Sequence, residues 1–212
     1  MPAKTPNSSP RLYLVVPPLT DPAAVVAALM PALAAADIAA VLLRLPAADE
    51  RTLINYIKQI APIVQERGVA LLLEGHADLV ARAGADGAHI SGGDAVKDAA
   101  SMLKPDRIVG AGGLAGRHDA MQAAESGADY VMFGEPASAG KRPSFEAIED
   151  RVAWWVEVFE IPCVAYAESL AEVESLAAAE FVALGPFIFD DPRGAAAAVA
   201  DAAARLKTET SA

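Results

Sequence analysis

The sequence predicts a single (β/α)8 barrel, and three observations support this α/β fold. A short unit recurs in which a helix ends at Gly or Ala, an acidic residue follows, and an apolar strand begins, most clearly at 127–134 and 84–90 and in weaker form at 178–185. About eight such strands are each followed by a helix, and 212 residues are enough for one barrel. The first strand also lacks the glycine-rich loop that would favour an open, doubly wound sheet.

The unit at 127–134 explains why these residues predict a strand. Gly127 follows a helical stretch, at the place where a left-handed residue ends many helices. Residues 130–133 are all apolar, as in a parallel strand that is covered on both faces. Gly134 ends the strand, where a missing side chain lets backbone or ligand come close. The pattern therefore predicts repeated βα units.

The other elements follow from the same signals. Asp21 before Pro22 is a pair typical of a helix start, and it marks the first helix. The predicted strands are residues 11–16, 39–45, 69–73, 87–90, 107–110, 130–133, 162–166 and 181–184. The predicted helices are 22–35, 49–67, a short one ending at 83, 94–103, 115–126, 144–159, 170–178 and 193–207. The chain is thus expected to be a flexible arm (1–10), the barrel (11–207) and a short tail (208–212).

Composition excludes several classes of function. Apolar residues make up 54% of the chain and charged residues 21%, which indicates a globular protein. The net charge of −11 disfavours a nucleic-acid partner, because phosphate backbones select basic surfaces. No apolar run approaches the ~20 residues that cross a bilayer, so no membrane partner is expected. The expected partner is a small-molecule ligand, with a homodimer as an open alternative.

The single cysteine, Cys163, lies within an apolar strand pattern and is interpreted as a small core residue. A lone cysteine cannot form an internal disulfide, which fits a reducing compartment and predicts a cytoplasmic protein. Trp154 and Trp155 on the sixth predicted helix are interpreted as core and interface anchors.

In barrels of this kind, chemistry takes place where strands end and loops begin. That rule predicts where a site lies and leaves its chemistry open. The residues that it selects include Arg44, Glu74, His89, Asp94, Gly112, Gly113, Glu135, Lys141, Glu168 and Gly185.

The strand-end motifs resemble those of the thiamine-phosphate synthase and thiazole tautomerase family. The matching segments, in the family's order, are Gly84-Ala85-Asp86-Gly87-x-His89-Ile90-x-x-x-Asp94, Ile108-Val109-Gly110, Gly127-Ala128-Asp129-Tyr130-Val131-x-Phe133-Gly134 and Ile161-Pro162-x-Val164. The resemblance implies a transferase that joins a pyrimidine methyl diphosphate to a thiazole phosphate with the help of magnesium. Such a reaction needs cations around the leaving diphosphate and backbone N–H groups around the acceptor's phosphate.

The resemblance also assigns roles to single residues. It implies catalytic roles beside the diphosphate for Arg44 and Lys141, and a metal-ligand role for Asp94. Gly75 stands where the family has a second metal-binding aspartate, so magnesium is expected to bind weakly. The ligand-binding candidates at the mouth are Glu74, His89, Gly112, Gly113, Glu168 and Gly185.

The expected phosphate cradle departs most from the family pattern. The family has Gly-Gly after the seventh strand, where this chain has Ala167-Glu168, and it presents further amides after the eighth strand, where this chain has Gly185-Pro186. A glutamate repels phosphate, and proline has no N–H to donate. The sequence therefore predicts a remodelled site that prefers a neutral or cationic group, or a Glu168 that is held by a cation such as Arg44 or Lys141. The histidine of the tautomerase branch is missing as well, because its place is taken by Leu114.

Each candidate also has a structural interpretation. Arg44 either binds an anion or pairs with Glu74. Asp94 either ligates a metal or caps the following helix, and the cap is favoured. His89 is favoured as a packed or hydrogen-bonded residue over a metal ligand acting with His76.

Gly112-Gly113 forms either an anion nest or a plain loop bend.

Two hypotheses for function follow from these alternatives. The favoured one is a transferase or isomerase of this family, with a changed small heterocyclic substrate in or near thiamine biosynthesis. The other is a catalytically silent relative that binds a ligand or a partner.

Overall fold

Eight parallel strands close into one barrel in the computed structural model of the chain, as the sequence predicts. The structure describes residues 9–18, 20–136 and 142–207. Strands adjacent in sequence are paired in the barrel, and the last strand pairs with the first. The strands are β1 Arg11–Val16, β2 Ile38–Leu43, β3 Ala70–Glu74, β4 Gly87–Ser91, β5 Ile108–Gly112, β6 Tyr130–Phe133, β7 Cys163–Ala167 and β8 Phe181–Leu184.

The helices surround the barrel. None of those in the described ranges is long and apolar enough to cross a membrane. The Asp21 side chain accepts a hydrogen bond from the amide of Ala23, which confirms the predicted cap of the first helix. The helices are α1 Pro22–Ala35, α2 Glu50–Gln65, α3 Val80–Ala83, α4 Gly93–Leu103, α5 Arg117–Glu125, α6 Phe145–Val158 and α7 Ala195–Lys207.

One predicted helix is wrong. The segment 170–178 forms two 3₁₀ turns, Leu170–Glu172 and Glu174–Leu176, in place of an α-helix. The carboxylate of Glu172 accepts hydrogen bonds from Arg142 and from the amide of Glu168. These tertiary contacts hold the segment against the ends of β6 and β7, and they override its intrinsic helix propensity.

The core has two layers. Inside the barrel, residues from alternating strand positions pack together, among them Tyr13, Leu42, Tyr130 and Met132. The outer faces of the strands pack against the helices. Cys163 is fully buried in this outer layer, which confirms its interpretation as a core residue.

The tryptophans on α6 have different surroundings. Trp155 is buried, its indole N–H donates to the carbonyl oxygen of Ile161 at 2.7 Å, and its ring stacks on Phe159 with centroids 4.0 Å apart. Trp155 is therefore a core anchor. Trp154 is half-buried beneath the guanidinium of Arg117, and its interface role stays a prediction.

The acidic residue of the repeated unit ties strands together in pairs. Asp86, which precedes β4, accepts a hydrogen bond from the amide of Leu71 in β3 at 2.7 Å. Asp129, which precedes β6, does the same for Val109 in β5 at 2.8 Å. In the weaker repeat, Glu180 precedes β8 and accepts from the amide of Cys163 in β7 at 2.9 Å. Each acid thus satisfies an N–H at the start of the preceding strand, at the end of the barrel opposite the expected site.

Candidate active site

The predicted register is confirmed, because the strand-end residues lie at the carboxyl ends of the strands and share one mouth. Their roles in binding or catalysis stay predictions. The residues so placed are Arg44 after β2, Glu74 at the end of β3, His89 in β4, Gly112 at the end of β5, Glu135 after β6, Glu168 after β7 and Gly185 after β8. Lys141 lies outside the described residues.

Arg44 is paired with Glu74. The guanidinium Nε donates to the Glu74 carboxylate at 3.0 Å, and both side chains are partly buried. Of the two interpretations that the sequence left open, the structure shows the ion pair. The predicted contact of Arg44 with Glu168 is not observed.

A hydrogen-bonded chain of side chains runs through the barrel interior to the mouth. The hydroxyls of Tyr13 and Tyr130 are 3.0 Å apart, and the Tyr130 hydroxyl is 2.9 Å from Nδ1 of His89. On the other side of the ring, Nε2 of His89 is 3.2 Å from Oε2 of Glu135. All four side chains are buried. His89 is therefore a hydrogen-bonded interior residue, as the sequence favoured, with both ring nitrogens engaged.

The net pKa shifts at the two ends of this chain have opposite directions, although burial raises the pKa at both ends. Burial raises the pKa of Tyr13 and of Tyr130 well above the ordinary range, so both phenols keep their hydrogens. Burial alone would also raise the pKa of Glu135. Its pKa is nevertheless lowered, because His89, the amide of Gly113 and the charge of Arg44 favour the carboxylate.

Gly112 and Gly113 form the bend that receives Glu135. The amide of Gly113 donates to the Glu135 carboxylate, so this N–H already has an acceptor within the chain. Gly113 has a φ of 62°, which favours glycine. At Gly112 a Cβ would overlap the Glu135 carboxylate and the His89 ring. The loop-bend interpretation is thus the one observed. Sequence reasoning placed Glu135 at the rim but gave it no role.

Arg142 is the cation that holds the carboxylates after β7. It donates to both oxygens of Glu172 at 2.7 and 2.8 Å and to Glu168 at 3.3 Å. Its other donors bind the carbonyl oxygens of Gly134 and Tyr166. A cation therefore holds Glu168, as predicted, but it is Arg142 and not Arg44; Lys141, the other cation that the sequence suggested, lies outside the described residues. Two consecutive basic residues, Lys141 and Arg142, could have indicated a cation near Glu168, but the family motif assigned a role to Lys141 alone.

The amides of the expected phosphate cradle are already engaged. The Glu168 amide donates to Glu172 at 2.8 Å, and the Gly185 amide donates to the carbonyl oxygen of Ala167 at 3.0 Å. Pro186 follows with no N–H. The Glu168 side chain is 47% exposed, so its carboxylate remains at the mouth.

A cavity of about 350 Å³ opens beside Glu135. It lies between the ends of β5 and β6 and the start of α6, with Met132 from the barrel interior in its lining. Leu114, which stands where the tautomerase branch has its histidine, lines the cavity too. A buried carboxylate in a partly apolar cavity is a common arrangement in small-molecule sites.

The cap interpretation of Asp94 is wrong. The N-cap of α4 is Gly92, and Asp94 lies within the first helical turn, where an acidic residue interacts favourably with the helix dipole. Its carboxylate accepts a hydrogen bond from Gln122 on α5 at 3.0 Å. Asp94 therefore links two neighbouring helices.

These features define a (β/α)8 barrel whose polar groups gather at the end where such barrels carry their active sites. A sequence profile described as thiamine monophosphate synthase matches residues 12–188. The chain belongs to that family, which relates it to thiamine biosynthesis.

Two relatives are similar over nearly the whole chain. A thiamine-phosphate synthase from Rhodospirillum centenum is 41% identical over 196 residues, which cover 90% of this chain and 95% of the relative. One from Hyphomonas neptunium is 36% identical over 205 residues, which cover 92% of each.

Solved structures share the fold. A thiamine phosphate pyrophosphorylase from Pyrococcus furiosus superposes with a TM-score of 0.77 at 18% identity, and the match covers 95% of this chain and 97% of that one. A tryptophan synthase from M. tuberculosis superposes with a TM-score of 0.66 at 16% identity, covering 94% and 93%. At these identities the likeness shows the barrel fold alone.

Thiamine-phosphate synthases are commonly magnesium-dependent, and the family motif assigns a ligand role to Asp94. Within residues 9–18, 20–136 and 142–207, no three His, Cys, Asp or Glu side chains lie close enough together to hold a metal ion. Gly75, with a φ of 73°, offers no side chain where the family has its other aspartate. The described side chains therefore do not form a magnesium site by themselves.

Proposed function

We propose that this chain is a transferase of thiamine biosynthesis whose mouth accepts a small nitrogen heterocycle without a phosphate group. Family membership supports the reaction class. One observation supports a changed substrate. The backbone amides expected to bind a phosphate, those of Glu168 and Gly185, already donate to acceptors within the chain.

Charge favours the same substrate. A phosphate between the ends of β7 and β8 would meet the exposed carboxylate of Glu168, while the guanidinium of Arg142 is already shared among carboxylates and carbonyl oxygens. Like charges repel most strongly where water is scarce. A neutral or cationic acceptor avoids both the repulsion and the need for free amides.

The test is a competition between two acceptors. The purified protein is incubated with the pyrimidine methyl diphosphate, magnesium chloride, and either the thiazole phosphate or the same thiazole without its phosphate. The expected kcat/KM is at least about tenfold higher for the unphosphorylated thiazole, which corresponds to about 1.4 kcal/mol. Glu168→Gln should reduce the ratio of kcat/KM for the unphosphorylated thiazole to kcat/KM for the thiazole phosphate. A wild type that turns over the phosphate more efficiently would contradict the remodelled cradle.

The ion pairs favour a second candidate, a ligand-binding relative without catalysis. Arg44 is held by Glu74 and Arg142 by Glu172, so each of these guanidinium groups has a carboxylate partner that a leaving diphosphate would have to displace. The discriminating result is calorimetric binding of the unphosphorylated thiazole with no product formed in the same tube.

A further inference from the structure

We infer that Glu135 is a catalytic carboxylate that takes a proton from the amino group of a heterocyclic substrate, and that His89 and Tyr130 are positioning residues behind it. The inference rests on the proposed function, because it assigns a residue to the transfer proposed above. The glutamates of the mouth differ in their partners. Among the described residues, Glu74 and Glu168 each pair with an arginine, whereas Glu135 contacts the imidazole of His89, which is charged only when it is protonated.

Glu135 is placed to contact a ligand. Its side chain lies in the lining of the 350 Å³ cavity, although it is only 6% exposed. A carboxylate has about four lone-pair sites, and within the part of the chain that the structure describes the donors to Glu135 are the Gly113 amide and His89 Nε2. Acceptor capacity therefore remains for an N–H group in the cavity.

The buried chain keeps this carboxylate ionised and oriented. An ionised carboxylate only accepts hydrogen bonds, so the hydrogen between the two groups is on Nε2 of His89. When the ring is neutral, Nδ1 can only accept, so the Tyr130 hydroxyl donates to it and accepts from the Tyr13 hydroxyl. The hydroxyl of Tyr130 thus fixes the tautomer that donates to Glu135, as a partner on one ring nitrogen does for the other.

Both neutral and cationic side chains surround Glu135. Among the described residues, the charged or titratable groups that interact with it are His89 from β4, Arg44 from the end of β2, the buried Tyr13 and Tyr130, and Tyr166 from β7. Arg142 and Arg151 line the same cavity, where they donate to carbonyl oxygens, and Arg142 also donates to carboxylates.

The proton transfer fits the charge that develops during the reaction. When the diphosphate leaves, the C–O bond breaks with its electron pair on oxygen, and positive charge spreads over the aminopyrimidine. A fixed carboxylate stabilises that charge. Glu135 accepts one amino proton, which leaves a neutral ring with exocyclic C=N and C=C bonds. The acceptor nitrogen then attacks the methylene carbon, and Glu135 returns the proton to the amino nitrogen.

The first test removes the charge and keeps the size. Glu135→Gln should lower kcat by about 100-fold, within the range for acid–base groups, while melting temperature and circular dichroism verify the fold. The matched control is Glu157→Gln, an exposed carboxylate in the last turn of α6, which should leave kcat unchanged. A Glu135→Gln variant with wild-type kcat would overturn the inference.

The second test concerns the positioning residues. Without His89, burial is opposed by fewer groups, so the pKa of Glu135 rises. His89→Gln should therefore move the acidic limb of the rate profile to higher pH, and Tyr130→Phe should move it in the same direction by less. A purely structural role would lower the rate equally at every pH, and that result would reject the positioning role.

Binding provides a readout that does not depend on turnover. The free aminopyrimidine alcohol serves as the probe, and its calorimetric affinity should fall about tenfold in Glu135→Gln and stay unchanged in Glu157→Gln. Equal affinities in the two variants would refute the contact. The two proposals fail separately, because preference for the phosphorylated thiazole rejects the acceptor assignment whatever Glu135 does.

Discussion

The guanidinium of Arg142 binds the carboxylate of Glu172 through two hydrogen bonds of 2.7 and 2.8 Å. The same guanidinium binds the carbonyl oxygens of Gly134 at 2.7 Å and Tyr166 at 2.8 Å. It therefore joins the ends of β6 and β7 to the 3₁₀ turn that follows. A planar group with five donors suits such a junction, and lysine could not reproduce it.

Removing this junction should destabilise the barrel. Arg142→Met removes the guanidinium donor from the partly buried Glu172 carboxylate and from two carbonyl oxygens, and we expect the free energy of unfolding to fall by about 2–3 kcal/mol. Arg193→Met is the control, because Arg193 is 55% exposed and solvent screens its ion pairs, so its loss should lower the free energy of unfolding much less. Urea unfolding of both variants measures the difference. Equal costs would mean that the Arg142 contacts contribute little.

The acidic residues that precede β4, β6 and β8 should stabilise the fold, because each accepts a hydrogen bond from a backbone N–H of the preceding strand. Asp86→Ala leaves the amide of Leu71 without its acceptor, which should cost about 1–3 kcal/mol. Asp86→Asn keeps an acceptor oxygen and should cost less. The exposed Asp98 on α4 provides the control substitution, Asp98→Ala. Thermal unfolding ranks the three variants, and a loss for Asp98→Ala as large as that for Asp86→Ala would contradict this role.

Gly112 is required because the Glu135 carboxylate and the His89 ring occupy the space of a side chain. Gly112→Ala should displace Glu135 and cost about 1–3 kcal/mol through overpacking. Gly116→Ala is a matched control, since a Cβ there meets no atom within 4 Å and its φ of −156° suits any residue. Unfolding measurements distinguish the two, and equal stabilities would show that Glu135 yields without cost.

Phosphate binding should respond in steps to substitutions in the cradle. Glu168→Gly should raise the affinity for inorganic phosphate by removing a like charge, although the amide at 168 stays engaged by Glu172. Adding Pro186→Ser supplies a new N–H and should raise the affinity again. Isothermal titration with phosphate measures both steps. Tight binding by the wild type, unchanged in Glu168→Gly, would show that Glu168 does not oppose phosphate.

Stability should fall at acidic pH through Glu172. Burial raises the pKa of Glu172, but hydrogen bonds from Arg142 and the Glu168 amide lower it below its ordinary value of 4.5. A lowered pKa stabilises the folded state above 4.5, and that contribution is lost as pH falls through the folded-state pKa. The stability curves of wild type and Glu172→Gln should therefore converge below pH 4.5. Curves that stay parallel down to pH 3 would contradict this.

Much of the barrel was predictable from local patterns. The apolar runs, and the glycine and acidic residue that precede several of them, located eight strands, because a strand buried on both faces has a distinctive composition. The α-helix predicted for segment 170–178 was wrong, because the contacts that prevent it involve residues distant in the sequence. Its helix propensity is outweighed by contacts from Glu172 to Arg142, which is 30 residues earlier in the chain.

The position of the candidate site was predictable from the sequence, but its hydrogen bonds and ion pairs were predictable only in part. Topology placed Arg44, Glu135 and Glu168 at one rim, since the carboxyl ends of parallel strands share one end of a barrel. The pairing of Arg44 with Glu74 was one of two open alternatives. The choice of Arg142 for Glu168 depended on distances of a few ångströms, which spacing along the chain does not specify.

The sequence by itself determined the βα repeat, the barrel and the loss of an N–H at Pro186, because these depend on residue type and local order. The tertiary structure alone decided that Asp86 and Asp129 bind the preceding strands and that His89 joins Glu135 to Tyr130. The physical reason is that a hydrogen bond requires two groups within about 3 Å. Only the closed barrel brings together residues that lie 15 to 46 positions apart.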